Sequence, residues 1–414
     1  MFPHPVPPPL NLSILDFHLL RRLMICVDWF DPGTRAGGPI RSCVNLIKLL
    51  HHDVEVSVLT GDRDLGAEEC YARVRCGTWN NWNGLASCWY ATRRQHATGA
   101  FLNAYRRVKP QTIYLNGMFS FFGAIVPLLS IPLLNQRLLN ANTRIVIAPR
   151  GMLKESALSM KRWKKTPWLT LLRLSGIARR VVFHATSEQE AEEVRHWFGT
   201  TATVHVVPNI PCLPVDTLTL SQKQCGKLRL SFAGRVHPVK NLLYLLRLLQ
   251  TLTCECSLNV IGPIEDVTYD QECREVITKL PGNVTVKFSG AVSNEQALQL
   301  VADSDFMILP TVGENFGHAI FEALSQGIPV LISDQTYWRD LEQDRAGWDL
   351  NLSRPDQFRA VLERMGQMSS QEYQLWQTGA HRRAIRFFES HDLKSAYLDL
   401  LLGQAGRRPS SCGC

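Results

Sequence analysis

The sequence predicts an α/β protein made of two doubly wound, Rossmann-like domains. Short apolar stretches alternate with amphipathic segments along most of the chain, which is typical of parallel sheets covered by helices. Residues 211–227 interrupt this alternation with two prolines, two threonines and a serine, and predict a linker. The chain has 414 residues, more than a single hydrophobic core usually serves, so two domains are expected.

The first domain is predicted over residues 22–210, after a Pro-rich leader at 1–21 that we expect to be disordered. Residues 62–100 show no clean period and predict long loops. Ser187 and Glu190 have the spacing of a capping box that opens a helix at 188–198. A further helix is expected at 40–51, and strands at 23–29, 54–59, 112–115, 145–148, 181–185 and 204–207.

Residues 117–134 contain no charged side chain, so a membrane span has to be considered. Pro127 and Pro132 interrupt the segment, and Gly123 and two serines weaken it. We therefore expect a buried helix behind a sheet.

The second domain is predicted over residues 228–370, where strands and helices alternate again. Amphipathic helices at 371–402 follow and are expected to pack back on the first domain, leaving a tail at 403–414. The strands are expected at 228–232, 257–261, 284–288, 306–309 and 330–333, and the helices at 240–252, 268–280, 294–302 and 318–326.

Charge and cysteine content restrict the function further. The net charge is +8, and residues 154–180 carry eight basic side chains against the single acidic Glu155. The charge is therefore a local basic patch, and no nucleic-acid-binding motif accompanies it. The 12 cysteines include no pair at the two-residue spacing of zinc and redox sites, and no secretory pattern opens the chain. We expect reduced thiols and a cytoplasmic protein.

Residues 232–241, FAGRVHPVKN, run from a buried strand through Gly234 and Arg235 to Lys240 at the opening of a helix. In an open parallel sheet, ligands bind outside the carboxyl ends of the strands. A helix N-terminus with an arginine fork and a lysine charge can hold a diphosphate there. The alternative is that both cations are solvated surface charges.

Residues 309–325, LPTVGENFGHAIFEALS, again follow a strand and carry Glu314 before a helix and Glu322 inside it. Two carboxylates near one helix start can accept hydrogen bonds from sugar or ribose hydroxyls. The alternatives are a helix-capping Glu314 and a surface Glu322. His318 and Glu322 have metal-ligand spacing, but no third ligand is evident and no metal site is predicted.

These two segments resemble the glycosyltransferase family 4 enzymes, which have the GT-B fold of two Rossmann-like domains facing across a cleft. The resemblance covers residues 22–390. It implies that Arg235 and Lys240 hold the donor diphosphate, that Glu314 contacts the transferred sugar and that Glu322 binds the ribose. It also implies donor contacts from the remaining matching positions, namely Gly37, Gly38, Gly234, Val292 in the turn 290–292, and the main chain of Asn315, Phe316 and Gly317.

The sequence departs from the family at one place in the first domain. Many family members have a histidine at the end of the strand before the basic region, where this chain has Arg150. Arg150 is therefore the candidate for an acceptor-side or phosphate contact. His184 ends a later strand and is expected to be structural. The stretches 36–42 and 148–153 are similar to bacterial members that build surface polysaccharides.

The resemblance implies a retaining, metal-independent transferase that needs no cofactor and moves a sugar from a nucleotide-diphosphate sugar to a glycan or lipid-linked acceptor. The basic segment 154–180 also contains Trp163 and Trp168, a composition that suits an anionic membrane surface at the inner face of the cell membrane. A solvated helix face is the alternative for this segment. The competing functions are a GT-B sugar-nucleotide epimerase and a non-catalytic protein that binds sugar nucleotides or membranes.

Overall fold

The computed structural model describes residues 21–134, 143–159, 162–212 and 217–403. The predicted leader and tail therefore fall almost wholly outside the described residues. Within them, two mainly parallel sheets are each packed against helices, which confirms the predicted α/β architecture.

The first domain contains an eight-stranded sheet in the order β3-β4-β2-β1-β5-β6-β7-β8. Neighbouring strands are parallel except for the edge pair β3 and β4. The strands are β1 (Arg21–Cys26), β2 (Val54–Gly61), β3 (Trp79–Trp82), β4 (Ala86–Ala91), β5 (Thr112–Asn116), β6 (Arg144–Ala148), β7 (Val182–Ala185) and β8 (Thr203–Val206).

Alternation along β1 separates the two helical layers of this domain. Leu23 and Ile25 join the core that faces α1, whereas Met24 and Cys26 join the core on the other face. Both layers are apolar because a parallel sheet is buried on both faces. The helices are α1 (Gly38–Leu50), α2 (Arg93–Ala97), α3 (Ala100–Val108), α4 (Val126–Leu134), α5 (Glu155–Ser159), α6 (Arg162–Leu174) and α7 (Glu188–Phe198).

The expectation of long loops over residues 62–100 is wrong in its second half, where β3, β4 and α2 form. β3 and β4 pair as an antiparallel hairpin, and Leu85 N donates to Trp82 O across the turn. Asn83 and Gly84, the central residues of the turn that this bond closes, both have positive φ, a conformation that favours Asn and Gly. The Asn-Gly pair was the sequence signal for this hairpin, and the irregular pattern around it hid the signal.

The uncharged segment at 117–134 forms a π-helical turn (Phe121–Ile125) that continues into α4. Ala124 and Leu128 are buried against the first-domain core, while Phe121 and Leu129 are exposed. The segment is thus a partly buried helix, in agreement with the expectation of a buried helix behind the sheet. Among the described residues, no helix is long and apolar enough to cross a membrane.

The second domain contains a six-stranded parallel sheet in the order β11-β10-β9-β12-β13-β14. The predicted strands lie within two residues of the observed ones, but β14 and α12 were not predicted. The elements are β9 (Lys227–Ala233), α8 (Leu242–Leu249), β10 (Glu255–Ile261), α9 (Val267–Ile277), β11 (Val284–Gly290), α10 (Asn294–Ala302), β12 (Phe306–Leu309), α11 (His318–Ser325), β13 (Val330–Ser333), β14 (Gly347–Leu350) and α12 (Pro355–Gln367).

The last two helices divide between the domains. α13 (Ser370–Ser390) buries Tyr373 and Phe387 in the core of the second domain. α14 (Leu393–Leu402) buries Tyr397 and Leu400 in the core of the first. Of the helices expected to pack back on the first domain, only α14 does so, and it ties the chain end to the first domain.

The linker packs on the second domain where it is described. Lys223 is 4% exposed, and its ammonium donates to the carbonyl oxygens of Gln224, Lys227 and Gly366 at 2.8–3.2 Å. The carbonyl groups stand in for water around the buried charge.

Candidate active site

Two loops of the second domain meet because the strands before them are neighbours. β9 leads into Gly234 and β12 leads into Thr311, and the two strands are adjacent in the sheet. Val312 N and the Thr311 hydroxyl both donate to Val239 O at 2.8 Å. The carboxyl ends of these strands therefore place residues 234–240, the predicted phosphate loop, beside residues 310–317, the loop that carries Glu314.

Lys240 and Glu314 form a direct ion pair, with side chains 15% and 20% exposed. Burial raises the pKa of Glu314, but the Lys240 ammonium outweighs it, so the pKa lies below its ordinary value. Asn315 N also donates to this carboxylate. An ionised carboxylate thus fixes the lysine at the carboxyl ends of β9 and β12.

Arg235 is placed differently from Lys240. Its guanidinium donates to Glu265 at 2.5 Å, and its side chain is 38% exposed. Gly234 itself lies against Lys240, whose Cγ would be 3.5 Å from an added Cβ. The structure therefore brings Gly234, Lys240 and Glu314 together and pairs Arg235 with the loop after β10.

The turn before α11 reaches the first domain. The Oδ1 atom of Asn315 lies 3.0 Å from the Thr186 hydroxyl, within hydrogen-bond distance. Gly317 has φ +76° and caps α11, a conformation that favours glycine. Phe316 is 2% exposed, and its carbonyl oxygen accepts a hydrogen bond from the Trp338 indole at 2.7 Å. The Phe316 side chain therefore anchors the turn, leaving only its main chain for donor contacts.

Glu322 lies one turn into α11 and interacts electrostatically with Arg41 of the first domain. Burial raises the pKa of Glu322 to about 7, against the opposing effect of the Arg41 charge. Arg41 follows the two glycines of the first-domain loop, and sequence reasoning did not select it. Its position next to Gly37 and Gly38 was the only available signal.

The glycine loop of the first domain faces His318. Gly37 has φ +63° and caps α1, and a Cβ on Gly38 would lie 3.8 Å from the His318 ring. The Ser42 hydroxyl lies 3.2 Å from His318 Nε2. Burial and the Arg150 charge lower the pKa of His318 to about 3, so the ring is neutral. The loop, α1 and α11 thus form one wall across the domain boundary.

Arg150 lies in a polar network of the first domain. Its guanidinium donates to Asn116, Asn209 and Tyr114, the first and last at 2.8 and 2.7 Å. The Arg150 charge also lowers the pKa of His318 across the domain boundary.

His184 belongs to the same network. It is fully buried, with one ring nitrogen 2.7 Å from Tyr114 Oη and the other 2.8 Å from Val207 O. Both ring nitrogens are therefore occupied by partners inside the first domain. A histidine held in this way is a structural residue, as expected.

Val292 follows β11 and is half-buried against the core of the second domain. Gly290, with φ +68°, accepts a hydrogen bond from Gly262 N, which joins the ends of β10 and β11. Gly262 was not predicted, yet an added Cβ there would lie 2.2 Å from Gly234 O. Gly262 therefore permits the end of β10 to lie against Gly234, and its N–H links the turn 290–292 to the same strand end.

Glu190 and Thr186 are further residues that the sequence reasoning missed. Ser187 caps α7 as predicted, but the Glu190 carboxylate does not complete a capping box. It is fully buried and accepts from Gly151 N, Thr186 N and the Thr186 hydroxyl. Glu190 thereby holds the loop after β6 and the turn that contacts Asn315.

A cavity of about 980 Å³ opens between the domains beside Glu314 and Asn315. Its first-domain wall comes from α5, the start of α6 and one face of α7, and its other wall includes residues 334–337. Within the described part of the chain, no cluster of three or more metal-ligating side chains is found.

The second domain matches a known family. Residues 221–369 match the model described as glycosyl transferases group 1, and this segment contains Arg235, Lys240, Glu314 and Glu322. The match supports a glycosyltransferase. No protein with a curated function matches the chain.

Solved structures share the whole two-domain arrangement. HepE from Anabaena, in complex with UDP and glucose, has a TM-score of 0.64 at 15% identity, with 92% of this chain and 98% of that chain covered. Sucrose-phosphate synthase from Thermosynechococcus elongatus has a TM-score of 0.68 at 14% identity, with the same coverage. The fold is GT-B. WaaG, a glycosyltransferase involved in lipopolysaccharide biosynthesis, has a TM-score of 0.56 at 13% identity, covering 92% of this chain and all of that chain. At these identities the likeness shows the GT-B fold alone.

Proposed function

We propose that this GT-B protein is a retaining, metal-independent glycosyltransferase that moves a sugar from a nucleotide-diphosphate donor to a glycan or lipid-linked acceptor. The Lys240–Glu314 pair carries the proposal, because it sets a cation and a carboxylate side by side at the strand ends that face the first domain. The group 1 family match covers both residues.

Breaking the sugar–phosphate bond builds negative charge on the diphosphate. Lys240 and the start of α11 supply fixed positive charge there, and Arg235 adds a second cation by turning from Glu265. Losing one preorganised donor of this kind costs about 3 kcal/mol of transition-state stabilisation. A donor phosphate oxygen takes the proton of the acceptor hydroxyl, so the proposal needs no separate general base.

Glu314 would contact the transferred sugar, and Glu322 would accept hydrogen bonds from the ribose hydroxyls. Ribose binding favours the ionised Glu322, and Arg41 stabilises that form from the opposite domain. Donor binding therefore depends on both domains being together.

The cavity supports transfer over epimerisation, since an epimerase needs no acceptor. About 980 Å³ lies beside Glu314, on the side of the first domain, which is the size of a small-molecule site and gives room for an acceptor sugar next to the transferred one. A role in surface polysaccharide synthesis rests on the sequence stretches 36–42 and 148–153 and on WaaG, which is involved in lipopolysaccharide biosynthesis.

If the acceptor is lipid-linked, the protein would work at the inner face of the cell membrane. It would bind there as a peripheral protein, with α6 contacting the anionic lipid surface. Trp163, Leu171 and Leu174 are 74%, 50% and 79% exposed on this helix, and Arg162 and Lys164 are exposed beside them. Mixed cations and exposed apolar side chains suit an anionic lipid surface. Lys161 of the same basic segment lies outside the described residues.

Liposome co-sedimentation tests this surface. Vesicles containing anionic lipid should retain the protein, and the triple change of Arg162, Lys164 and Arg173 to Glu should release it. The same change at Arg354, Arg364 and Arg386, exposed on the second domain, is the matched control. Equal retention of both variants would show that α6 does not bind membranes.

The donor reaction is tested with UDP-, GDP-, ADP- and dTDP-sugars in the presence of EDTA. One nucleotide class should bind and be slowly hydrolysed, and Lys240→Ala should reduce the hydrolysis rate by about 100-fold. Lys279→Ala, an exposed lysine of the same domain, is the control. Proton NMR of the first-formed glycoside should show the donor's anomeric configuration.

Two results would overturn the proposal. The first is that no donor binds to the parent protein. The second is that Lys240→Ala hydrolyses the donor at the parent rate, which would remove the cation from the mechanism. A product of inverted configuration, or activity that EDTA abolishes, would overturn the retaining or the metal-independent part.

A further inference from the structure

One face of α7 lines the cavity instead of the core. The opposite face buries Val194 and Phe198 in the first domain. The cavity-lining positions follow helical spacing and form one stripe, made of Gln189, Glu192, Glu193, His196 and Trp197.

Glu193 is the residue in this stripe that points to a ligand. Its Oε2 atom is buried and has no hydrogen-bond partner in the structure. A buried acceptor without a donor is destabilising, and on the wall of the cavity a ligand hydroxyl would supply the missing donor. Burial raises the pKa of Glu193, and the Lys154 charge opposes that rise from the same cavity.

The cavity is acidic and has an aromatic ring on each wall. Trp197 lines it from α7, and Tyr337 lines it from the second domain. Its charged lining residues are five carboxylates, Glu155, Glu192, Glu193, Glu314 and Asp334, against two cations, Lys154 and Arg162. Glu314 is neutralised by Lys240, but the other four carboxylates still outnumber the two cations and disfavour an anionic acceptor. Sugar hydroxyls find acceptors here, and sugar rings find apolar surfaces.

We propose that the cavity binds the terminal sugar of the acceptor, and that this sugar is neutral or carries an amino group. Phosphorylated sugars and uronic acids are disfavoured by the carboxylates. Glu193 accepts a hydrogen bond from a sugar hydroxyl, and Trp197 packs against the ring. The inference rests on the proposed function and names its acceptor class.

The transfer follows from this position. The acceptor oxygen forms a bond to the anomeric carbon as the bond from that carbon to the phosphate oxygen breaks. The nucleoside diphosphate leaves with the electron pair, and its phosphate oxygen takes the hydroxyl proton. The cavity adjoins Glu314, so a hydroxyl bound there lies next to the transferred sugar.

Saturation-transfer NMR on the full chain tests the acceptor class without any donor turnover. The probes are p-nitrophenyl glycosides of gluco, galacto and manno configuration, each as the neutral sugar, 2-amino sugar, uronide and 6-phosphate. At least one neutral or amino glycoside should bind, and its uronide and 6-phosphate should bind about tenfold more weakly. E193Q should weaken the preferred glycoside by about tenfold.

E188Q is the matched control, since Glu188 is on the same helix, 75% exposed and away from the cavity lining. Binding of all four charge forms alike, binding of none, or equal affinity in E193Q and E188Q would overturn the inference. The hydrolysis assay with nucleotide sugars distinguishes failure of this inference from failure of the proposed function. Donor hydrolysis without selective glycoside binding refutes the acceptor class alone, and selective glycoside binding without donor hydrolysis refutes the transferase.

Discussion

Replacing Glu190 by glutamine should destabilise the first domain more than any other single-atom change in α7. The carboxylate is fully buried, and its two oxygens accept three hydrogen bonds. Gly151 N donates to Oε1 at 2.5 Å, and Thr186 N and its hydroxyl donate to Oε2 at 2.7 Å each. Two of these donors, Gly151 N and Thr186 N, are backbone N–H groups and cannot accept a hydrogen bond in return.

Glutamine keeps one acceptor oxygen and places an amide donor where the other stood. The glutamine amide must then face either Gly151 N or Thr186 N. In either case the amide and a backbone N–H group point at each other, and both are left without an acceptor. Each unsatisfied buried group costs about 1–3 kcal/mol, so we expect a loss of about 3 kcal/mol of unfolding free energy. For a domain of this size that corresponds to a melting temperature lower by about 6–12 °C.

Urea unfolding followed by fluorescence measures the change, with Glu188→Gln as the exposed control on the same helix. The control should unfold within about 0.5 kcal/mol of the parent. If Glu190→Gln also stayed within that range, the three hydrogen bonds would not be holding the turn, and the role assigned to Glu190 would be refuted.

Three further predictions concern other parts of the molecule. Because burial raises the pKa of Glu322 from 4.5 to about 7, its ionisation should cost the parent about 3 kcal/mol of stability as pH rises from 4.5 to 8. Glu322→Gln should lack that loss in pH-dependent urea unfolding, and parallel pH profiles would contradict the burial argument. Arg150→Lys should lower stability by about 2–3 kcal/mol in the same assay, because a single ammonium cannot reach Asn116, Asn209 and Tyr114 together; a neutral effect would show that the network is dispensable. Leu400→Ala should cost about 3 kcal/mol and increase hydrogen exchange in the first domain only, since the side chain is fully buried there; faster exchange confined to the second domain would mean that α14 is misplaced.

Much of the fold was readable from the sequence because strand and helix periods are local. Eleven of the 14 described strands were located to within three residues, and the loops that carry Lys240 and Glu314 followed from strand ends. The hairpin of β3 and β4 was missed because its short strands carry irregular burial, with only Asn83 and Gly84 marking the turn.

The helices at the chain end show a second limit. We expected these helices to pack on the first domain, but their amphipathic pattern does not specify the domain, and α13 packs on the second. α13 and α14 are separated by a short break at residues 391–392, where the chain crosses from the second domain to the first. An apolar stripe indicates that a helix face is buried, but it does not identify the domain that covers the face.

The sequence by itself determined the two α/β sheets with their helices, and the position of Lys240 and Glu314 after two strands of the second domain. Each of these features follows from a pattern of residues that are close together in the sequence. Tertiary structure alone decided that Arg41 faces Glu322, that Ser42 meets His318 across 276 positions of the chain, and that α7 turns a polar stripe toward a cavity. Such contacts depend on how two separately folded sheets face each other, and no periodic signal along the chain records that orientation.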